Sequence, residues 1–146
     1  MKALKIAIGC DHAGYLTKEE VKRYLEDEGH QLWDFGTHSE ESVDYPDFAH
    51  PVAKAVENGE YTYGILFCGS GNGVSIVANK YQGVRSAVCW NDEIARLARL
   101  HNDANVCAIP ARYVSFHDAK LIAKAFIDSG FEGGRHSRRV EKIPIR

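Results

Sequence analysis

Three glycines in five positions, Gly69, Gly71 and Gly73, follow Cys68 in the run Cys68-Gly69-Ser70-Gly71-Asn72-Gly73. With no Cβ atoms in the way, the N–H groups of such a turn converge on a bound oxyanion, and a helix starting just beyond adds its own. The run is not a Walker loop, since no Gly-Lys-Ser/Thr follows. Nor is it a dinucleotide fingerprint, since Val74 stands where the third glycine belongs. A glycine-rich turn serves equally well for a tight strand-to-helix passage and nothing more. Cys68 at its mouth adds the chemistry: a helix N-terminus favours the thiolate of a nearby cysteine, and a thiolate is a base or a nucleophile. Cys89 and Cys107, each inside an apolar strand-like run, read instead as inert core thiols. No arginine stands six residues after Cys68 or Cys10, so a C-x5-R phosphatase loop is absent.

Asp11-His12 offers a second reactive pair, a carboxylate acceptor beside an imidazole that donates or accepts near neutral pH. The same dipeptide also serves as an ordinary loop cap. His101 shares a helical face with Ile94, Leu97 and Ala98, the pattern of a packing histidine, yet its place in a last turn favours the imidazolium and hence a proton donor. Arg112, Arg135, His136 and Arg139 are candidate phosphate ligands, because guanidinium forks match phosphate oxygens in pairs. The alternative for the last three is a solvated basic tail.

These residues need a scaffold, and the chain supplies strand-like runs alternating with helical patterns, the signature of βαβ units. The expected strands are 4–8, 31–35, 63–67, 85–89 and 105–109, several of them continuously apolar, as strands covered on both faces must be. Thr17 and Glu20 form the pattern of a capping box, with Leu16 and Val21 as a staple, ahead of a helix ending near Gly29, an earlier start at Ala13 being the alternative. Phe48, Val52 and Val56 share a helical face, but Pro51 inside it predicts a late start or a bend. Asn91 caps a helix running through His101. Ser115 with Asp118 caps another, whose buried face is Ala119, Ile122, Ala123 and Phe126. Ligands of an open α/β sheet bind beyond the carboxyl ends of its strands. Both Asp11-His12 and the glycine run fall there.

At 146 residues the chain is about one domain's worth, and 45% apolar with 26% charged residues is an ordinary globular composition. A net charge of -2 gives no general attraction to nucleic acid or anionic membrane. Residues 133–146 differ, with Arg135, Arg138, Arg139, Lys142 and Arg146 against Glu141, or +4, leaving -6 for the rest. No apolar run approaches the roughly 20 residues of a membrane span, and no signal-peptide core follows Met1. The four cysteines show no C-x-x-C pair or zinc spacing. A reducing, cytoplasmic setting is expected.

Taken together, Gly9-Cys10-Asp11-His12-Ala13-Gly14, Asp44-Tyr45-Pro46, the glycine run, Ala78-Asn79-Lys80, Gly83-Val84-Arg85, His101-Asn102-Asp103-Ala104-Asn105 and Gly133-Gly134-Arg135-His136 with Arg139-Val140 resemble the ribose-5-phosphate isomerase B (RpiB/LacAB) family, from Ile6 to about Lys142. The resemblance implies a single domain over 1–146, a three-layer α/β/α sandwich around a five-stranded, mainly parallel Rossmann-like sheet. It assigns 131–146 to a C-terminal segment contacting a second subunit, in a homodimer or in a tetramer made of two such dimers. It implies an aldose-ketose isomerase of ribose 5-phosphate working through a cis-enediolate, with no metal or cofactor and no nucleic-acid or membrane partner. Cys68 matches the base. Asp11 and His101 match residues for ring opening and hydroxyl protons, and Ser70 matches a hydroxyl that bonds the sugar. Gly69, Gly71 and Gly73 would stabilise the enediolate. His12, Arg112, Arg135 and Arg139 would surround the phosphate, and Tyr45, Asn72, Asn102 and His136 would touch the substrate. Alternatives are a hexose 6-phosphate isomerase of the same family or a non-catalytic binder of phosphorylated ligands. A thiol redox protein would need a resolving cysteine near Cys68, which is missing.

Overall fold

The expected apolar runs are strands β1 (Lys5–Cys10), β2 (Gln31–Asp34), β3 (Tyr63–Cys68), β4 (Ser86–Val88) and β5 (Val106–Pro110) in the computed structural model, which describes residues 2–145. The helices are α1 (Tyr15–Asp27), α2 (Pro46–Glu57), α3 (Asn72–Ala78), α4 (Asp92–Asn102), α5 (Phe116–Asp128) and α6 (Arg135–Glu141). The strands pair in the order β2-β1-β3-β5-β4, and every neighbouring pair is parallel.

Successive strand residues point to opposite faces, and both faces are covered. Ile6, Ile8, Ile65, Phe67, Cys107 and Ile109 pack with Val21 and Leu25 of α1, Ala95 of α4 and Ala119, Ile122 and Phe126 of α5. Ala7, Leu66, Cys68, Val106 and Ala108 pack with Val52 and Val56 of α2 and Val74 and Val77 of α3. This is the three-layer sandwich. Its second face is built of small residues so that α2 can lie close. A Cβ on Gly9 or Gly64 would come within 2.9 Å of Val52.

Two helix starts differ from expectation. α1 begins at Tyr15, so Thr17 is buried inside its first turn and forms no capping box with Glu20, and Leu16 is 52% exposed and staples nothing. Asp11 does the work instead, its Oδ1 accepting the Gly14 N–H at 3.0 Å. Gly14 is required there because a Cβ would lie 2.6 Å from the Phe67 Cβ and 2.7 Å from its carbonyl oxygen. α2 starts at Pro46, ahead of Pro51 rather than after it. Pro46 presets the φ of a first turn, and the carbonyl that Pro51 leaves without a helical donor is that of exposed Asp47. The caps of α4 and α5 form as expected, with Asn91 Oδ1 accepting the Ile94 N–H at 2.8 Å and Ser115 Oγ the Asp118 N–H at 3.0 Å. The basic C-terminal segment is not a loose tail. It forms α6, docked on α4.

Under the carboxyl end of β1 sits a buried ion pair that hydrophobic patterning does not announce. Lys18 Nζ has no exposed surface and donates to both Asp34 oxygens, at 2.8 and 2.7 Å, and to the Thr37 carbonyl at 2.7 Å. Burial pushes the Asp34 carboxyl up, but the Lys18 hydrogen bonds, the Gly36 N–H and the charges of Lys18 and Lys22 outweigh it and hold it below its ordinary value. Removing either partner strands a buried charge, at a cost of about 3–5 kcal/mol. Asp34→Asn is expected to cost more than Lys18→Met, because exposed-side Lys22, 3.3 Å from Asp34, still serves the carboxylate when Lys18 is gone. The pair's contribution is present above the unfolded carboxyl value of 3.8 and is lost as pH falls through the lower folded value. Urea midpoints at pH 7 and pH 3 test this: the gap between wild type and Asp34→Asn should narrow at pH 3, and an unchanged gap would contradict it.

Candidate active site

The strand order reverses direction beside β1, with β2 on one side and β3 and β5 on the other. The crevice this leaves at the carboxyl ends is the place where open parallel sheets bind ligands. A cavity of about 350 Å3 opens there, lined by Asp11, Tyr45, Cys68, Gly69, Ser70, Gly73, Arg112 and Tyr113. That is within the range of small-ligand sites.

Each lining residue is set by backbone. Cys68 ends β3 on the small-residue face and is 5% exposed. The β5 loop is stapled to the glycine loop, with the Ala111 N–H donating to the Cys68 carbonyl at 2.9 Å and the Arg112 N–H to the Gly69 carbonyl at 3.0 Å. Arg112 then folds over Gly69, where a Cβ would lie 3.1 Å from its Nη1. Gly71 takes a left-handed φ of 78° to start α3, whose first N–H groups lack helical acceptors. Ser70 Oγ accepts the Asn72 N–H at 3.2 Å. Tyr45 precedes α2, and its ring covers Gly73 so closely that a Cβ there would meet it at 2.7 Å. Asp11 is buried and donates its own N–H to the Phe67 carbonyl at 3.2 Å. His12 stands just behind, its Nδ1 accepting the Val43 N–H at 3.2 Å, which leaves Nε2 as the protonated nitrogen and pins the segment before Tyr45.

The other cysteines have different surroundings. Burial pushes the Cys10 thiol up to about 12, although it too ends a strand. Burial, with Cys89 alongside, also raises Cys107. Neither lines the cavity. Tyr113 lines it while 78% exposed, a residue the sequence did not single out, although it directly follows Arg112 at the end of β5.

The remaining expected site residues lie elsewhere. α4 leaves the carboxyl end of β4 and runs back to the edge where β5 begins, so His101 and Asn102 in its last turn sit at the opposite edge from Cys68. α6 brings Arg135, His136 and Arg139 to the same place, with the rings of His101 and His136 stacked at 4.3 Å and 12°. Burial, and then His101 and Arg135, hold His136 below its ordinary value. None of these residues lines the Cys68 cavity within the chain. Asn102 instead borders a wider cavity of about 550 Å3 between β4 and Ile143–Ile145. The expected residues thus form two groups, one at each edge of the sheet.

The profile of the Ribose/Galactose Isomerase family matches residues 6–143. Ribose-5-phosphate isomerase B of Escherichia coli is 48% identical over 139 residues, 95% of this chain and 93% of that protein. Among solved structures, a ribose 5-phosphate isomerase from Thermotoga maritima superposes with a TM-score of 0.96 at 48% identity, covering 98% of this chain and 99% of the other. Ribose-5-phosphate isomerase B from Mycoplasma genitalium, solved with bound ribulose-5-phosphate, gives 0.92 at 38% identity over 98% and 95% of the two chains. A fold shared from end to end, at this identity, leaves one assignment: the chain belongs to the ribose/galactose isomerase family.

Proposed function

We propose that this chain interconverts D-ribose 5-phosphate and D-ribulose 5-phosphate through a cis-enediolate, with Cys68 as the base. The observation that carries this is the single cavity in which Cys68, the glycine cradle, Asp11 and Arg112 meet. Proton transfer between adjacent carbons needs a base, a cradle for the oxyanion that develops beside it and a shuttle between the two oxygens. The Cys68 thiolate takes the proton from C2 of the open aldose and returns it to C1. The N–H groups between Gly69 and Gly73 hold the enediolate oxygens, while Ser70 and Asp11 bond the hydroxyls and pass the proton between them. No electron acceptor enters this scheme, and it needs no metal or cofactor.

His101 is assigned to furanose ring opening, and Arg135 and Arg139 join Arg112 and His12 at the phosphate. Because His101, Arg135 and Arg139 sit at the far edge of their own sheet, the working unit proposed is a homodimer, each site pairing one subunit's cavity with the other's α4 and α6. The proposed setting is the cytoplasm, where reduced thiols persist. In support, no described helix is long and apolar enough to cross a membrane, and the cysteines are free.

Purified protein assayed with ribose 5-phosphate, allose 6-phosphate and galactose 6-phosphate, in the presence of a chelator, tests class and substrate together. Turnover should be highest with ribose 5-phosphate. Arg112→Ala should raise KM about 10-fold or more, the loss of a charge-assisted contact of about 1.5–3 kcal/mol. Binding of all three sugars without turnover would leave only the phosphate-binding module.

A further inference from the structure

We propose that His101, Glu132 and His136 form a binding site for a borderline divalent metal ion, Zn2+ fitting best, and that filling it blocks the isomerase. The inhibitory half rests on the function proposed above; the binding half does not. One donor atom from each residue lies within 4.8 Å of the others. His136 is 7% exposed, and its buried Nε2 has no hydrogen-bond partner. Glu132 Oε1 stands 3.7 Å away, too far for a hydrogen bond. A buried imidazole nitrogen left without a partner is costly, and here it faces a carboxylate and a second imidazole.

The backbone builds this arrangement. The Glu132 N–H donates to the Leu100 carbonyl at 3.0 Å, fixing Glu132 beside the last turn of α4. Gly133 and Gly134, at φ of 71° and 58°, then turn the chain so that His136 comes back towards Glu132, with its own N–H on the Gly133 carbonyl at 3.1 Å. Two imidazoles and a carboxylate, with a further position open, are a known donor set for Zn2+, and nitrogen donors disfavour Mg2+ and Ca2+. The two rings now stack, so one must turn to share an ion. His101 is half-buried and Glu132 exposed, which leaves both free to close on a nitrogen held by His136. Arg135 and Arg139 oppose a cation here and limit its affinity. An ion so held takes the imidazole that ring opening needs.

The test uses full-length protein freed of metal by a chelator and desalted, titrated with Zn2+ by calorimetry and with Co2+ by visible absorption. One ion per chain is expected, bound at least tenfold more weakly in Glu132→Gln, at an exposed position, and in His101→Asn, at a half-buried position outside both core clusters. Cys68→Ala should bind as wild type does. In the isomerase assay Zn2+ should inhibit and EDTA reverse it, and Glu132→Gln should keep its basal rate while needing at least tenfold more Zn2+. Stoichiometric, Glu132-dependent binding by a protein with no isomerase activity would sustain the site and sink the function. Binding indifferent to both substitutions, or abolished by Cys68→Ala, would overturn the site.

Discussion

Cys68→Ala is expected to lower kcat by about 10²–10⁴-fold, the usual contribution of a positioned general base, with little change in KM. The size follows from what else remains in the cavity. Ser70 and Arg112 hydrogen-bond and pair but do not supply a base beside the sugar carbons, and Asp11 has one oxygen committed to the Gly14 N–H. The glycine cradle and the phosphate contacts survive the substitution, so the sugar should still bind. Cys89→Ala and Cys107→Ala remove buried thiols, one just past β4 and one in β5, away from the cavity, and should cost stability but leave the folded enzyme active. Cys10→Ala is the sharper control, because it also ends a strand and neighbours Asp11, yet its thiol is pushed up to about 12 and stays protonated. Turnover by Cys68→Ala within about tenfold of wild type would remove Cys68 from the role of base.

The sheet was legible because its signal is local and repeated. Runs such as Ile65-Leu66-Phe67 and Val106-Cys107-Ala108-Ile109 are apolar on both faces, and only a strand covered on both sides permits that. Caps with side-chain acceptors were legible for the same reason, since Asn91 and Ser115 each bond an N–H three residues ahead. The start of α1 was not, because it depends on a contact distant in sequence. Gly14 must lie against Phe67, and once it does the helix begins before Thr17 can cap anything. Lys18 reads as an exposed helical lysine until Asp34 and Thr37 arrive beneath it from β2 and its following turn. Within the cavity, Cys68, Ser70 and the glycines announce themselves by spacing. Tyr113 does not, since nothing local separates a lining tyrosine from a solvated one. No property of the sequence alone says that His101 and Cys68 face opposite ways across the sheet. That separation is a consequence of topology.

The same topology makes the second large effect, one of assembly. The 11 residues of α4 rise about 16 Å from the carboxyl edge of the sheet to its other edge. In one chain, therefore, His101 and Arg139 do not line the Cys68 cavity. In the two-fold dimer proposed above, each subunit's far edge would meet the other's cavity, and the same contact would complete both sites. Deleting residues 131–146 removes α6 with Arg135, His136 and Arg139, so it should abolish turnover and weaken dimerisation together. Arg139→Ala alone should lose most activity at low substrate. Mixing inactive Cys68→Ala with Arg139→Ala and allowing subunits to exchange should then restore turnover. One site of each hybrid dimer joins an intact Cys68 to an intact Arg139, while the other carries both defects. With random exchange about half the dimers are hybrids, so about a quarter of all sites should work. Light scattering and mass spectrometry of differentially labelled chains establish that exchange has occurred. Hybrids that form and stay inactive would mean that each site is made by one chain, and that α6 must swing across its own sheet to reach the phosphate.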